Sequence, residues 1–501
     1  MPASDGAATL QVRARASTPR GWPSVTGRAP RADATRGSEQ EHVSKHIIVI
    51  GAGVVGLAAA WRLHRRGHRV TIIDPAPASG ATHAAAGMLA AVSEYVFEEE
   101  HLLALSVPAA RRYPDIVAEL AEATRAGTGF RDTTTIVATA DSADRDHLRA
   151  LQRRQAELGL DVEDLTPRQA RRLEPLLGPG ISGAFLARDD HQITPRRLAG
   201  AYLSALEVCD DVHIVPERVG SLVWEGDRVV GVTLTTTDGE HRPVTHAFDE
   251  QPAWPGTEVV ADAPLPAEAA DPTGQRILAD EVVVANGLDS PELEGLPEGL
   301  VWPIRPVYGD VLRLRTPERL RPLVTRTIRG LVHGRSVYIV PREDGTVVIG
   351  ATEREDGRPA VLAGGVLQLL RDAHELLPAV DDLELVEATA RARPGTPDNA
   401  PILGRVAPGL LADTGTHRHG ILLSAQTAVV VADLVDGLEP DPAWAAFDPW
   451  RFSAGVVSTA AVASGAESSR AGAAHVDTDD VETAGSARDA CSAVDAEAQE
   501  D

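Results

Sequence analysis

Two short apolar runs, His46–Ile50 and Arg69–Asp74, flank an Ala/Leu-rich stretch from about Val54 to Arg66. These β-rich runs suit short strands, and the stretch between them suits a helix. Together they predict a β–α–β unit. Further helical segments fall near 98–126, 142–158, 195–208 and 364–377. Strand-like runs dominate 301–352, among them Val311–Arg315, Val337–Pro341 and Thr346–Gly350, and predict an antiparallel sheet in a second domain. The alternation of both kinds of element predicts an α/β protein whose second domain is α+β.

Three stretches follow neither period. Residues 1–44 are rich in Ala, Arg, Ser, Pro and Gly and lack the apolar h-region of a secretory signal. They predict a disordered extension or an over-extended gene start, with an Arg-rich transit peptide as the alternative. The stretch 241–273, dense in Pro, Ala and acids, interrupts the strand-like segments Val229–Thr236 and Arg276–Ala285 and predicts a surface loop insertion. From about 451 to 501 an Ala/Ser/Asp/Glu-rich composition predicts a disordered acidic tail.

A chain of 501 residues holds two or three domains, and 43% apolar with 24% charged residues is ordinary for a globular protein. The formal charge of -25 argues against unaided binding to nucleic acid or to an anionic membrane. Two cysteines, Cys209 and Cys491, make no disulfide framework and fit a reducing compartment. No apolar run approaches the roughly 18 residues that suggest a membrane span. A cytoplasmic location is therefore expected. Neither H-E-x-x-H nor paired C-x-x-C occurs, so no metal site is predicted.

Chemistry enters at Gly51-Ala52-Gly53-Val54-Val55-Gly56, which leaves the first strand and opens the first helix. In a G-x-G-x-x-G loop the first glycine permits the tight turn. The second lets the backbone approach a pyrophosphate, and the third allows close helix–strand packing. The helix start adds free N–H groups and a positive dipole end for the phosphates. Asp74 ends the second strand, near the position expected of an acid that accepts a ribose hydroxyl. The loop reads as a Rossmann-like dinucleotide site and does not choose between NAD and FAD.

The next segment makes that choice by resemblance. Gly80-Ala81-Thr82-His83-Ala84-Ala85-Ala86-Gly87-Met88-Leu89 resembles the second flavin motif of the D-amino-acid oxidase superfamily, in the version carried by glycine oxidases of thiamine biosynthesis. Near the other end, Arg391-Ala392-Arg393-Pro394-Gly395-Thr396-Pro397-Asp398 is similar to that family's substrate-arginine segment. Thr416-His417-Arg418-His419-Gly420-Ile421-Leu422-Leu423 looks like its flavin-facing stretch. Intermediate pieces at Asp190–Arg196, Arg305–Asp310 and Val337–Arg342 agree, so the resemblance spans roughly residues 46–450.

The resemblance implies non-covalent FAD held by Gly51, Gly53, Val54, Val55, Gly56, Asp74, Thr82, Ala85, Ala86, Gly87, Met88, His417, Arg418, Gly420, Ile421 and Leu422. No cysteine lies near the flavin-facing motifs to form a covalent link. It further implies Arg393 as a bidentate clamp for a substrate carboxylate, with Tyr338 and Arg418 beside it. A small amino acid would lose hydride from its α-carbon and dioxygen would be reduced to peroxide, a chemistry that needs no side-chain base. His83, His191, His417 and His419 accordingly read as polar packing or loop residues. In glycine oxidases of this kind the imine product feeds thiazole assembly. The resemblance thus implies thiazole synthase as a partner, and a homo-oligomer.

The implied domains are a discontinuous FAD-binding domain (45–95, 165–300 and 390–450) and an interleaved substrate domain (96–164 and 301–389). Departures from the pattern bear on the substrate. Arg391 stands two positions before the clamp, where relatives carry a small residue, and offers a charge for a second carboxylate. Ala285-Asn286-Gly287-Leu288-Asp289-Ser290 lacks the tryptophan often seen in this flavin-facing segment. Alternatives to a glycine oxidase are a D-amino-acid or sarcosine oxidase or dehydrogenase of the same superfamily. A flavin-bearing partner of thiamine-synthesis enzymes without catalysis is the other.

Overall fold

β1 (His46–Ile50), α1 (Val54–Arg65) and β2 (Arg69–Ile73) form the expected unit, with β1 and β2 parallel from His46↔Arg69 to Ile50↔Ile73. Every residue of β1 is buried, which is why its sequence shows no polar alternation. The computed structural model describes residues 43–235, 276–439 and 441–453. The N-terminal extension, the 241–273 insertion and the acidic tail lie outside the described residues, apart from 43–44 and 451–453.

The chain continues through α2 (Ala81–Ala84) and β3 (Met88–Leu89), then α3 (Leu103–Ala123), β4 (Thr135–Thr139), α4 (Ser142–Glu157) and β5 (Val162–Leu165). Next come α5 (Pro167–Leu173), β6 (Gly183–Ala187), β7 (His191–Gln192), α6 (Pro195–Leu206) and β8 (Val212–Val215). Strands β9 (Val219–Glu225), β10 (Arg228–Leu234), β11 (Arg276–Leu278) and β12 (Glu281–Val284) follow. The strand-rich block is β13 (Arg305–Arg315), β14 (Thr327–Val332), β15 (Arg335–Pro341) and β16 (Thr346–Gly350). Last are α7 (Ala363–Leu376), β17 (Glu384–Gly395), β18 (Ile402–Ala407), β19 (Leu410–Thr414) and α8 (Gly420–Val435).

Two main sheets result. The first runs β18-β19-β12-β1-β2-β8 and is parallel except for β18. Helices α1, α3, α6 and α8 bury Leu57, Tyr113, Tyr202 and Leu423 on one of its faces. The small sheet β11-β10-β9 covers the other with Leu222, Val229 and Val232. The second sheet runs β17-β13-β16-β15-β14-β4-β6-β5. One face packs Leu312, Ile328, Ile339 and Ile349 against Leu369 and Leu376 of α7. The opposite face carries Val311, Val340 and Val348 against Ala86, Met88 and Ala90. The alternation Val311/Leu312 and Val348/Ile349 between the two faces is the period of a strand.

The strands of 301–352 pair antiparallel, as expected, and the same sheet takes β4 parallel to β14. Sheet membership departs from the expected bounds at three places. β6 falls within 165–300, the stretch given to the flavin side, yet it pairs with β4 and β5 in the second sheet. The same sheet takes β17 as far as Gly395, past the boundary placed at 390. The single run Arg276–Ala285 is divided between sheets: β11 pairs with β10, and β12 with β1 and β19. Asp280 marks the division, its carboxylate accepting the His46 N–H at 2.7 Å.

Candidate active site

Gly51 turns the chain out of β1 with φ of 103°, and a side chain there would meet the Ala285 carbonyl at 2.6 Å. A Cβ on Gly56 would strike the Gly51 carbonyl, so α1 packs directly against the loop it leaves. Gly53 differs: a Cβ there would find Thr82 Oγ1 at 3.6 Å and nothing closer. The outer side of the loop is therefore open where a pyrophosphate would lie, and the loop fits a dinucleotide. The first turn of α1 leaves N–H groups without intrahelical acceptors. That of Val54 donates to Thr82 Oγ1 at 3.1 Å, while Val55 and Gly56 continue the turn. Asp74 accepts the Ala52 N–H at 2.6 Å and the Ala76 N–H at 2.7 Å. It braces the loop with one lone pair on each oxygen and keeps others for a ribose hydroxyl. Burial raises its carboxyl pKa, opposed by those two hydrogen bonds.

The segment from Ala84 to Leu89 crosses between the two sheets. Gly87 has φ of 74°, and a Cβ there would strike the Ile193 carbonyl, while its own carbonyl accepts the Ile193 N–H at 2.8 Å. Three arginines hold the backbone of the Ala run. Arg196 donates to the His83 carbonyl at 2.9 Å. Arg313 donates to the carbonyls of His83 and Ala84 at 3.0 and 3.3 Å. Arg342 donates to the carbonyls of Ala86 and, at 2.9 Å, Ile193. Glu387 neutralises two of them, at 2.5 Å from Arg196 and 2.9 Å from Arg313.

Burial pushes Arg313 down to about 10 and Arg342 to about 9, so both stay charged at neutral pH. Burial opposes ionisation of Glu387, but Arg196 and Arg313 outweigh it and hold the carboxyl at about 2. Asp190 similarly fixes the turn beyond Leu89, accepting the N–H groups of Val92 and Ser93 at 3.0 and 3.1 Å. These positioning residues were not singled out from the sequence. The available signal was an arginine inside or at the end of an apolar strand run, at Arg313 and Arg342.

Arg393 and Tyr338 come together through the register of the second sheet. Tyr338 lies opposite Gly350, Gly350 opposite Val311, and Arg393 opposite Val307. Residues directly paired, or two apart on one strand, share a face. Both side chains therefore stand on the face that packs against Ala86 and Met88. Two glycines make room for them: a Cβ on Gly309 would collide with the Arg393 guanidinium, and one on Gly350 with the Tyr338 ring and hydroxyl. Arg393 Nη1 makes a long 3.4 Å bond to the Thr352 carbonyl. Burial pushes the Tyr338 phenol up, and the Arg393 charge pulls it partly back.

The remaining named residues are placed differently. Arg418 is ion-paired with Glu99, whose other oxygen accepts Asn399 Nδ2 at 3.0 Å. Glu94 meets Arg329 at 3.0 Å and His419 at 3.4 Å. Burial opposes its charge, but His419, Arg329 and Arg418 hold its carboxyl at about 2. Neither glutamate stood out in the sequence. His417 takes φ of 48° beside Gly395, and burial with the charges of Arg418 and Arg393 lowers its pKa to about 3. Gly420 opens α8, and Ile421 and Leu422 bury their side chains in the core. Arg391 donates to the Ser79 carbonyl at 3.2 Å and to that of Ala390 at 2.9 Å.

Gly-rich loop, arginine-held Ala run and facing sheet fit an FAD-binding oxidoreductase fold. Residues 46–434 match the model of the FAD dependent oxidoreductase family (DAO), and the chain belongs to that family. It is 30% identical over 414 residues to a glycine oxidase of Geobacillus kaustophilus, covering 81% of this chain and 96% of that protein. The crystal structure of glycine oxidase from Geobacillus kaustophilus matches with a TM-score of 0.68 at 28% identity, over 81% of this chain and 99% of that one. The bifunctional protein ThiO/ThiG of Trichormus variabilis is 28% identical over 412 residues, 82% of this chain and 55% of its own length. The chain thus spans about half the length of the bifunctional relatives it matches. It is an FAD-dependent oxidoreductase related to glycine oxidases. Among the described residues, no helix is long and apolar enough to cross a membrane.

Proposed function

We propose that the chain oxidises glycine and other small amino acids, with dioxygen as the electron acceptor. The observation that carries this reading is the placement of Arg393 and Tyr338 on one sheet face, over Gly309 and Gly350, opposite Ala86 and Met88. Bound FAD would supply the redox chemistry, a route for hydride from the substrate's α-carbon and for electrons on to dioxygen, so that amine plus oxygen becomes imine plus hydrogen peroxide. Arg393 holds the substrate carboxylate through two parallel N–H bonds, and the Tyr338 hydroxyl adds a third donor. Arg313, Arg342 and Arg196 fix the Ala-run backbone that would hold the flavin. His417, neutral at working pH, puts no further positive charge beside Arg393.

The relatives named glycine oxidase and ThiO/ThiG support glycine as substrate and delivery of its imine to a thiazole synthase. A cytoplasmic homo-oligomer is part of the same reading. Purified protein should show a flavin spectrum and release peroxide with glycine, sarcosine or D-alanine under air. Flavin that no amine reduces would leave a non-catalytic flavoprotein. Flavin reduced by substrate but inert toward oxygen would make it a dehydrogenase.

A further inference from the structure

His64, Cys209 and Asp211 meet on the flavin-side domain, far from the substrate face. His64 lies in the last turn of α1, on the order of 15 Å along the helix from its phosphate-binding start. Cys209 follows the end of α6, and Asp211 immediately precedes β8. Cys209 Sγ is 3.3 Å from His64 Nε2, and His64 Nδ1 is 3.0 Å from an Asp211 carboxylate oxygen. One ligand atom from each residue lies within 4.8 Å of the other two.

The backbone beneath the cluster is fixed. The Cys209 N–H donates to Leu206 at 3.1 Å, the Cys209 carbonyl accepts the Val212 N–H at 3.2 Å, and the Asp211 carbonyl accepts the Val70 N–H at 2.9 Å. All three residues are half-buried, which leaves an ion a path from solvent.

We propose that this cluster binds a divalent cation of the zinc class. A thiolate, an imidazole and a carboxylate are the ligands zinc takes, with water as the fourth in a tetrahedron. Bond lengths of 2.3 Å to sulfur and 2.0–2.1 Å to nitrogen put two tetrahedral ligand atoms about 3.5 Å apart, and side-chain rotation closes ligand atoms that already lie within 4.8 Å of one another onto one ion. Asp210 and Asp211 work in the same direction. Their negative charge, beside the Cys209 S–H and its proton, draws a dication. Binding exchanges that proton for the metal: the S–H bond breaks, the S–metal bond forms and one proton leaves for solvent. The ion would tie the end of α1 to the α6–β8 connection at the edge of the first sheet.

The test uses the flavin-loaded full chain, exposed to zinc chloride and then passed through a chelating resin, with metal counted by mass spectrometry. About one zinc per chain should be retained. Cys209→Ser and His64→Ala should each lose it while keeping their flavin, and Cys491→Ser should keep both. Zinc should also protect the wild-type thiol from alkylation, with at least tenfold slowing. Zinc that survives Cys209→Ser, or follows Cys491 instead, overturns the proposal. So does wild-type protein that retains none, which would leave the three residues as a hydrogen-bonded surface cluster. Because metal content and alkylation are read independently of turnover, failure here is distinct from failure of the oxidase reading.

Discussion

Arg393 sits over Gly309 with one long bond of 3.4 Å to Thr352, so its guanidinium is placed by the sheet rather than consumed by a carboxylate of the fold. Removing it would take away the proposed carboxylate clamp. Arg393→Ala should raise KM for glycine by a factor corresponding to about 2–5 kcal/mol, with flavin content unchanged. Steady-state kinetics checks this, and unaltered KM would remove Arg393 from the site. Arg393→Lys should recover only part of the loss, because an ammonium cannot make the paired bonds. A different residue sets a pH effect. Asp413 is fully buried in β19, and neither carboxylate oxygen has a hydrogen-bond partner. Burial, only partly offset by Thr427, raises its carboxyl from 3.8 to about 7. A raised carboxyl keeps its proton in the fold after the unfolded chain has lost it. Its contribution is full below pH 3.8 and is lost as pH rises through 7. Asp413→Asn should therefore be more stable than wild type at pH 8, by about 1–3 kcal/mol. The gap should shrink toward pH 5. Thermal melts at the two pH values decide it, and an equal gap at both would show that the carboxyl does not titrate there.

At the scale of elements, the backbone from His83 to Ala86 is held by Arg196 of α6, Arg313 of β13 and Arg342 just beyond β15, with β17 supplying the countercharge. Glu387→Gln would leave Arg196 and Arg313 facing one another without neutralisation, a change that costs about 3–5 kcal/mol when the pair is buried. The expected result is weaker FAD retention, measured as flavin lost on dilution and gel filtration. Gly309→Ala should do the opposite: flavin stays, and KM rises because the new methyl displaces the Arg393 guanidinium.

These two changes also mark what was legible beforehand. β1, α1 and β2 stood in the sequence because they are consecutive and their apolar periods are undisturbed. Arg393 and Tyr338 could be named from resemblance, but their shared face depends on strand register. The Arg196–Glu387 pair spans 191 residues, and no local period carries such a contact. β6 and β17 cross the expected bounds for the same reason, since membership of a sheet is decided by a distant hydrogen-bonding partner. The run 276–285 hid a change of sheet because β11 and β12 are both apolar.

For the molecule as a whole, the buried ionisable groups set how it meets acid. Burial, followed by neighbouring arginines, lowers His46 and His83 to about 4 and His417 to about 3, against an ordinary 6.5. The unfolded chain protonates these imidazoles first, so they draw stability down as pH falls from 6.5 toward 4. Asp190, raised by burial to about 6, and Asp413 act in the reverse sense over nearly the same interval. Near pH 5.5 three imidazoles favour the unfolded chain and two carboxyls favour the fold. The net slope there is small.

Below 4.5 the balance changes. Glu94 and Glu387, both held near 2, remain charged in the fold while the unfolded chain takes up protons. Their contribution is present above 4.5 and lost between 4.5 and 2, with the remaining histidine uptake adding to it. The melting temperature should therefore change little from pH 7 to pH 5 and fall steeply below 4.5. FAD at a hundredfold excess over its Kd adds about 2.7 kcal/mol to the folded state. Because Glu387 neutralises the arginines that hold the Ala run, proposed to carry the flavin, release of FAD should coincide with unfolding in that acid limb. Flavin fluorescence and far-ultraviolet dichroism followed together would show one transition. Flavin set free at pH 5 with the dichroism intact would mean that the arginine–Glu387 clamp does not govern cofactor retention.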